Sequence, residues 1–141
     1  RQRELFLKKI ERTLGSLKGR KIGVWGLAFK PETDDIRESA ALGVVQQLLA
    51  KGAEVSVYDP KAMENAKHIL PDSVQYAPTA MDAAVGIDAL IVLTEWPEFR
   101  RVSFSTLKEQ MIEPVMFDGR NFLADMDLEG MGFAYFGVGL A

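Results

Sequence analysis

Short runs of apolar, β-branched residues alternate along this chain with stretches of helical periodicity. Buried parallel strands and their connecting helices produce this pattern, which constrains the fold more than any other feature. Six strands are predicted, at residues 21–26, 54–58, 74–76, 89–93, 115–117 and 133–136. Right-handed crossovers cover both faces of such a sheet with helices. The sequence therefore predicts an α/β fold with a doubly wound, Rossmann-like parallel sheet.

Helical periodicity also precedes the first strand. Apolar residues recur there at steps of four, four and three, the period of one helical face, namely Phe6, Ile10, Leu14 and Leu17. The abrupt start of the chain predicts that residues 1–18 are the tail of another domain. Residues 19–141 are predicted to form the Rossmann-like domain itself.

Two boundary signals support the connecting helices. An apolar stripe at residues 42–49 ends at Gly52, a position where glycine accepts a left-handed backbone. Asp59 followed by Pro60 predicts an N-cap and the first turn of the next helix. Met63, Ala66 and Leu70 lie within that predicted helix, which Pro71 ends.

Composition narrows the classes of function. The net charge is -3, and no cluster of lysine and arginine is dense enough to indicate a nucleic-acid surface. No apolar stretch approaches the roughly 20 residues of a membrane span, and no signal peptide is visible, so a cytoplasmic protein without membrane contact is expected. The sequence has no cysteine and one histidine, His68, which leaves no cluster with metal-ligand spacing.

The exit of the first strand is the candidate ligand site, because doubly wound sheets bind ligands where strand order reverses. The sequence there reads GLAFKPETDDIRES, residues 26–39. Gly23 and Gly26 are spaced G-x-x-G, so the G-x-G-x-x-G fingerprint that seats a pyrophosphate is missing. Asp59 ends the second strand, where a ribose-binding acid can stand, but it follows Gly26 by 33 residues rather than about 20, and an N-cap role explains it.

Three side chains of this loop are candidates for ligand contact. Lys30 suits a phosphate oxygen, although a solvated lysine fits the pattern equally well. Phe29 either lies against a base or sugar or packs within the loop. Arg37 stands among acidic residues, which form a local ion-pair network with it or orient its fork toward a phosphate.

Two further strand exits contribute to the same edge. After the strand VMF the sequence continues DGRN, which brings Arg120 to the edge that carries Lys30. Two converging cations suit a diphosphate. After ALIVL comes Thr94-Glu95-Trp96, which either forms a polar and aromatic wall or packs the start of the next helix.

These segments together resemble a known family. GLAFKPETDDIRES, VYDP, LTEW and DGRN match, in order and spacing over residues 20–140, the C-terminal UDP-binding domain of the UDP-glucose/GDP-mannose dehydrogenase family, and most closely its bacterial UDP-glucose 6-dehydrogenases. Members carry an N-terminal NAD-binding Rossmann domain, a helical central domain that forms the dimer, and this C-terminal domain. The resemblance implies oxidation of UDP-glucose to UDP-glucuronate with two NAD, through a thioester on a catalytic cysteine.

The resemblance also implies residue roles. Phe29, Lys30 and Arg120 would contact the UDP-sugar, and Arg37 would contact NAD across a domain interface. Residues 1–18 would be the end of the long helix of the central domain and a linker, and the full-length protein would be a homodimer or a higher homo-oligomer. Since these residues include neither the cysteine nucleophile nor the glycine fingerprint, the chain alone is expected to be inactive.

Two alternatives stay open. The chain could belong to a UDP-N-acetylmannosamine or GDP-mannose dehydrogenase, or it could be a non-catalytic nucleotide-binding module.

Overall fold

A six-stranded parallel sheet forms the centre of the protein. The computed structural model describes residues 2–37 and 39–137. The strands are β1 (Lys21–Trp25), β2 (Glu54–Tyr58), β3 (Gln75–Tyr76), β4 (Ala89–Val92), β5 (Val115–Asp118) and β6 (Ala134–Gly137). They pair in parallel throughout, in the order β3-β2-β1-β4-β5-β6. The six predicted strands are confirmed, with ends that shift by at most one residue.

Helices connect the strands on both faces of the sheet. In the described residues they are α1 (Gln2–Leu14), α2 (Ala40–Ala50), α3 (Met63–Lys67) and α4 (Phe104–Gln110), with 3-10 turns at 82–84, 97–100 and 124–126. Because β1-α2-β2 and β4-α4-β5 progress outward in opposite directions, right-handed crossovers place α2 and α4 on opposite faces. The doubly wound fold is confirmed. None of the described helices is both long and apolar enough to cross a membrane.

β1 is buried on both faces, as the central strand of a covered sheet must be. Ile22, Val24 and Trp25 are completely buried. Only glycine fits at position 23, because a Cβ there would stand 2.7 Å from the carbonyl oxygen of Ala83. The 3-10 turn at 82–84 therefore packs directly on the backbone of β1.

α1 belongs to the same hydrophobic core as the sheet. Phe6, Leu7 and Ile10 are at most 5% exposed, and the helix packs against α2. Leu17, in the loop that follows, is buried as well. The predicted helix is confirmed but ends at Leu14, so Leu17 joins the core from the following loop and not from the helix. The domain boundary at residue 18 stays a prediction.

α3 is shorter than its pattern predicts. It begins at Met63, with Ala62 at the N-cap position, and contains five residues. The Oδ1 atom of Asp59 accepts hydrogen bonds from the backbone N–H groups of Lys61 and Ala62, at 2.9 and 2.8 Å. Asp59 thus caps the turn that precedes α3 rather than the helix itself.

Candidate functional site

The strand order reverses between β1 and β4, since β2 and β3 lie on one side of β1 and β4 to β6 lie on the other. In doubly wound sheets the crevice outside the carboxyl ends of these strands is the usual ligand site. The loops after β1 and β5 carry all four residues singled out for ligand contact. The loops after β2 and β4 complete this carboxyl edge.

The loop after β1 begins with a sharp turn that needs glycine. Gly26 has φ 103°, a region that L side chains rarely adopt. A Cβ on Gly26 would stand 2.5 Å from Oγ1 and 2.6 Å from the backbone nitrogen of Thr94. Thr94 is buried, and its hydroxyl donates to the carbonyl of Ala28 at 2.9 Å. The exits of β1 and β4 are therefore in direct contact.

A buried carboxylate joins three of the strand exits. Asp59, at the end of β2, is completely buried. Its Oδ2 atom accepts N–H bonds from two backbone groups of the β1 loop and from an indole, namely Leu27 N at 2.7 Å, Ala28 N at 2.9 Å and Trp96 Nε1 at 3.1 Å. With the two bonds at Oδ1, the group accepts five N–H donors. The exits of β1, β2 and β4 are thereby held in fixed relation.

Residues 29–37 form a compact lobe, which we call the β1 lobe. The backbone N–H of Phe29 donates to the carbonyl of Asp35 at 2.7 Å and closes the lobe. Phe29 is 45% exposed, and Lys30 is exposed too. Both project from a loop whose start is anchored by Asp59.

Arg37 forms the local ion pair that the acidic context allows. Its Nε and Nη2 atoms donate to the two carboxylate oxygens of Asp35, at 3.1 and 3.0 Å. Hydrogen bonds from the side chain and then from the backbone N–H of Arg37 lower the pKa of Asp35 to about 2, and the charge of Lys30 adds to the lowering. The side chain of Arg37 is therefore held by a carboxylate of its own loop.

The loop after β5 is organised by a second buried carboxylate. Asp118 is completely buried and accepts from the backbone N–H groups of Arg120 and Leu123 and from the hydroxyl of Tyr135, at 3.0, 2.7 and 2.7 Å. Burial and this hydrogen bond raise the pKa of Tyr135, which keeps its hydroxyl a donor. The Nε atom of Arg120 donates to Glu95 Oε1 at 2.9 Å, so the exits of β4 and β5 are joined as well.

Trp96 packs rather than forming an open wall. It is 4% exposed, and its indole points at Asp59. Phe99, completely buried, stacks on Trp25 with ring centroids 5.1 Å apart. Of the two interpretations of this segment, the structure favours packing for Trp96 and leaves Glu95 as its polar contribution to the edge.

Lys30 lies in the loop after β1 and Arg120 in the loop after β5. Only β4 separates these two strands, so the strands are about 10 Å apart at the usual spacing.

Beside the β1 lobe lies a depression of about 470 Å³ lined by Glu32, Thr33, Asp34 and Lys61. Its acidic lining does not suit a diphosphate. Among residues 2–37 and 39–137 no group of acidic and histidine side chains could hold a metal ion.

Sequence reasoning missed the two buried carboxylates as organisers of the edge. It treated Asp59 as a cap and mentioned Asp118 only as part of DGRN. A usable signal was present, because both aspartates directly follow mainly apolar strand segments, VSVY and VMF. A carboxylate in such a position has to be satisfied by donors from neighbouring loops.

A family model matches residues 23–125, and it describes the UDP-binding domain of the UDP-glucose/GDP-mannose dehydrogenase family. The chain is 42% identical over 139 residues to UDP-glucose 6-dehydrogenase of Rhizobium meliloti strain 1021. This alignment covers 99% of the chain and 32% of the relative. The chain thus spans about a third of the length of that protein.

Solved structures give the same picture. A UDP-glucose dehydrogenase from the hyperthermophilic archaeon Pyrobaculum islandicum superposes with a TM-score of 0.82 at 35% identity, over 99% of this chain and 30% of that one. UDP-D-ManNAc dehydrogenase from Pyrococcus horikoshii superposes with a TM-score of 0.74 at 28% identity, over 97% and 29%. Both comparisons extend over the sheet and α1 together.

Proposed function

Because this chain belongs to the UDP-glucose/GDP-mannose dehydrogenase family, whose UDP-binding domain it matches, we propose that it is the substrate-holding domain of an NAD-dependent UDP-glucose 6-dehydrogenase. The proposed reaction is the oxidation of UDP-glucose to UDP-glucuronate with two NAD. The observation that carries the proposal is the carboxyl edge, where the loops of β1 and β5 present Lys30 and Arg120 on either side of β4.

The charges at this edge support a diphosphate as the group that is bound. Lys30 is an exposed ammonium, and Arg120 is a guanidinium whose side chain is one-third exposed. Phosphate oxygens accept charge-assisted hydrogen bonds from both kinds of group. Phe29, 45% exposed on the same loop, offers an apolar face for the uridine or the sugar.

NAD does not fit this sheet in the ordinary dinucleotide mode. The glycines are spaced G-x-x-G. The acid at the end of β2, Asp59, is completely buried and already accepts five N–H hydrogen bonds. We propose that NAD is held mainly by residues outside this chain. Arg37, exposed at the edge of the β1 lobe, is the residue proposed to reach it.

The remaining parts of the proposal concern the whole enzyme. The cysteine that the family resemblance implies would come from outside these 141 residues, which contain none, so the chain alone is proposed to bind without catalysing. Residues 1–18 are proposed to end the long helix of a central domain, through which the enzyme forms a homodimer or a higher homo-oligomer. A cytoplasmic location is proposed as well, since the reaction needs a supply of NAD and nucleotide sugar.

The choice of sugar rests on the comparisons. The relative from Rhizobium meliloti is 42% identical to this chain, whereas the UDP-D-ManNAc dehydrogenase structure is 28% identical. UDP-glucose is therefore the proposed substrate. UDP-N-acetylmannosamine and GDP-mannose remain the alternatives within the family.

Calorimetric titration with UDP and with UDP-glucose tests the proposed site. A charge-assisted hydrogen bond contributes about 1.5–3 kcal/mol, so Lys30→Ala and Arg120→Ala should each weaken UDP binding about tenfold to a hundredfold. Lys21→Ala is the matched control, because it removes an exposed lysine from the opposite end of β1. Binding by both site variants that equals that of Lys21→Ala would remove these residues from the site.

A further inference from the structure

Asp59 occupies the position where a dinucleotide-binding sheet places its ribose acid, at the carboxyl end of β2. Such an acid must offer a free oxygen to the ribose hydroxyls. In this protein the side chain is completely buried. The place of the acid is kept, but its carboxylate faces the interior.

Hydrogen-bond geometry leaves this carboxylate no capacity for a ligand. A carboxylate has about four lone-pair sites, and Asp59 accepts five N–H donors at 2.7–3.1 Å. All five partners are donors, so the group is matched as an acceptor on every side. Asp59 is therefore not a contact for ribose.

The donors show what the carboxylate does instead. Leu27 and Ala28, whose backbone N–H groups it holds, directly precede Phe29 and Lys30. The backbone conformation at residues 27 and 28 therefore sets the direction in which the side chains of Phe29 and Lys30 project. Trp96, which donates to the same oxygen, links this backbone to the exit of β4.

We propose that Asp59 is the positioning residue of the nucleotide-sugar site, and that it acts through the backbone of Leu27 and Ala28 to preset Phe29 and Lys30 for the ligand. This inference rests on the proposed function. Lys30 is exposed on a loop, and ordering a loop on binding reduces affinity. A backbone fixed in advance by a buried acceptor removes that penalty.

The test compares two aspartates that hold the two ends of β1. Asp59→Asn replaces an acceptor oxygen with an amide donor at the exit of the strand. Asp88→Asn makes the same change at its start, where Asp88 Oδ2 accepts from the backbone N–H of Lys21 at 2.8 Å. Titration with UDP below the melting transition of each variant should show about tenfold weaker binding for Asp59→Asn and less than about a twofold change for Asp88→Asn. Wild-type affinity in folded Asp59→Asn would overturn the inference.

A double-mutant cycle separates positioning from general damage. If Asp59 acts through Lys30, Asp59→Asn should change UDP affinity by less than about threefold once Lys30→Ala is present. Fully additive effects would contradict the mechanism. If Lys30→Ala alone binds like wild type, Lys30 is not part of the proposed site and this inference falls with that assignment. If Lys30→Ala is weak and Asp59→Asn is normal, the inference alone fails.

Trp96→Phe provides a second variant if Asp59→Asn does not fold. It keeps an aromatic ring and removes one donor from Asp59. We expect UDP binding about twofold to fivefold weaker, with faster hydrogen exchange at the amides of Leu27 and Ala28. Unchanged affinity together with unchanged exchange would overturn the inference.

Discussion

Replacing Gly26 with alanine tests the close approach of the β1 and β4 exits. The residue has φ 103°, and a left-handed backbone costs an L residue about 1–2 kcal/mol. The added Cβ would also stand 2.5–2.6 Å from three atoms of Thr94, one of them the backbone nitrogen. Overpacking of this kind costs about 1–3 kcal/mol.

The two effects together predict that Gly26→Ala lowers the free energy of unfolding by about 2–5 kcal/mol. An unfolding entropy of about 2.1 cal/mol/K per residue gives a chain of 141 residues about 0.3 kcal/mol per kelvin. Thermal denaturation followed by circular dichroism should then show a Tm about 7–17 °C below that of wild type.

Gly15→Ala is the matched control, because Gly15 also has a positive φ, 78°, but a Cβ added there would meet nothing within 4 Å. This variant should show the backbone strain alone, a fall in Tm of about 3–7 °C. Equal losses for the two variants would refute the reasoning, since they would mean that Thr94 moves aside without cost.

Arg37→Gln should raise the titration midpoint of the Asp35 carboxyl, followed by NMR, from about 2 toward its ordinary 3.8. Because the pKa of Asp35 is lower in the folded protein than in the unfolded chain, its pairing with Arg37 stabilises the fold above the unfolded pKa of 3.8. This contribution is lost as the pH falls toward about 2. A midpoint that stays near 2 in Arg37→Gln would contradict the pairing. Phe6→Ala, which empties a completely buried position on α1, should cost about 3–5 kcal/mol and lower Tm by about 10–17 °C. Leu5→Ala, at a position that is 47% exposed, should have little effect, and equal losses would contradict the packing of α1.

The strands were predictable because burial on both faces leaves a local record in the sequence. Residues 22–25 and 89–92 are apolar or glycine without interruption, as strands covered on both faces require. α1 was predictable for the same kind of reason, since its period is visible within a few turns. The local sequence pattern was therefore sufficient to predict most of the architecture.

The interior contacts of the site were not predictable from local pattern. Asp59 accepts from Leu27 and Ala28, which lie 32 and 31 positions earlier in the chain, and Arg120 meets Glu95 across 25 positions. Such pairs arise only when the sheet brings separate strand exits together. The length of α3 was overestimated because the Asp59–Pro60 pair predicts the start of a helix. In the structure the Asp59 carboxylate instead caps the turn before α3 and holds the loop after β1.

The bond that closes the β1 lobe has a consequence for the proposed binding site. This bond joins two main-chain atoms, the N–H of Phe29 and the carbonyl of Asp35, so no side chain takes part in it. If the β1 lobe holds the nucleotide sugar as proposed, substitutions such as Lys30→Ala change the side chains offered to the ligand without removing the bond that closes the lobe.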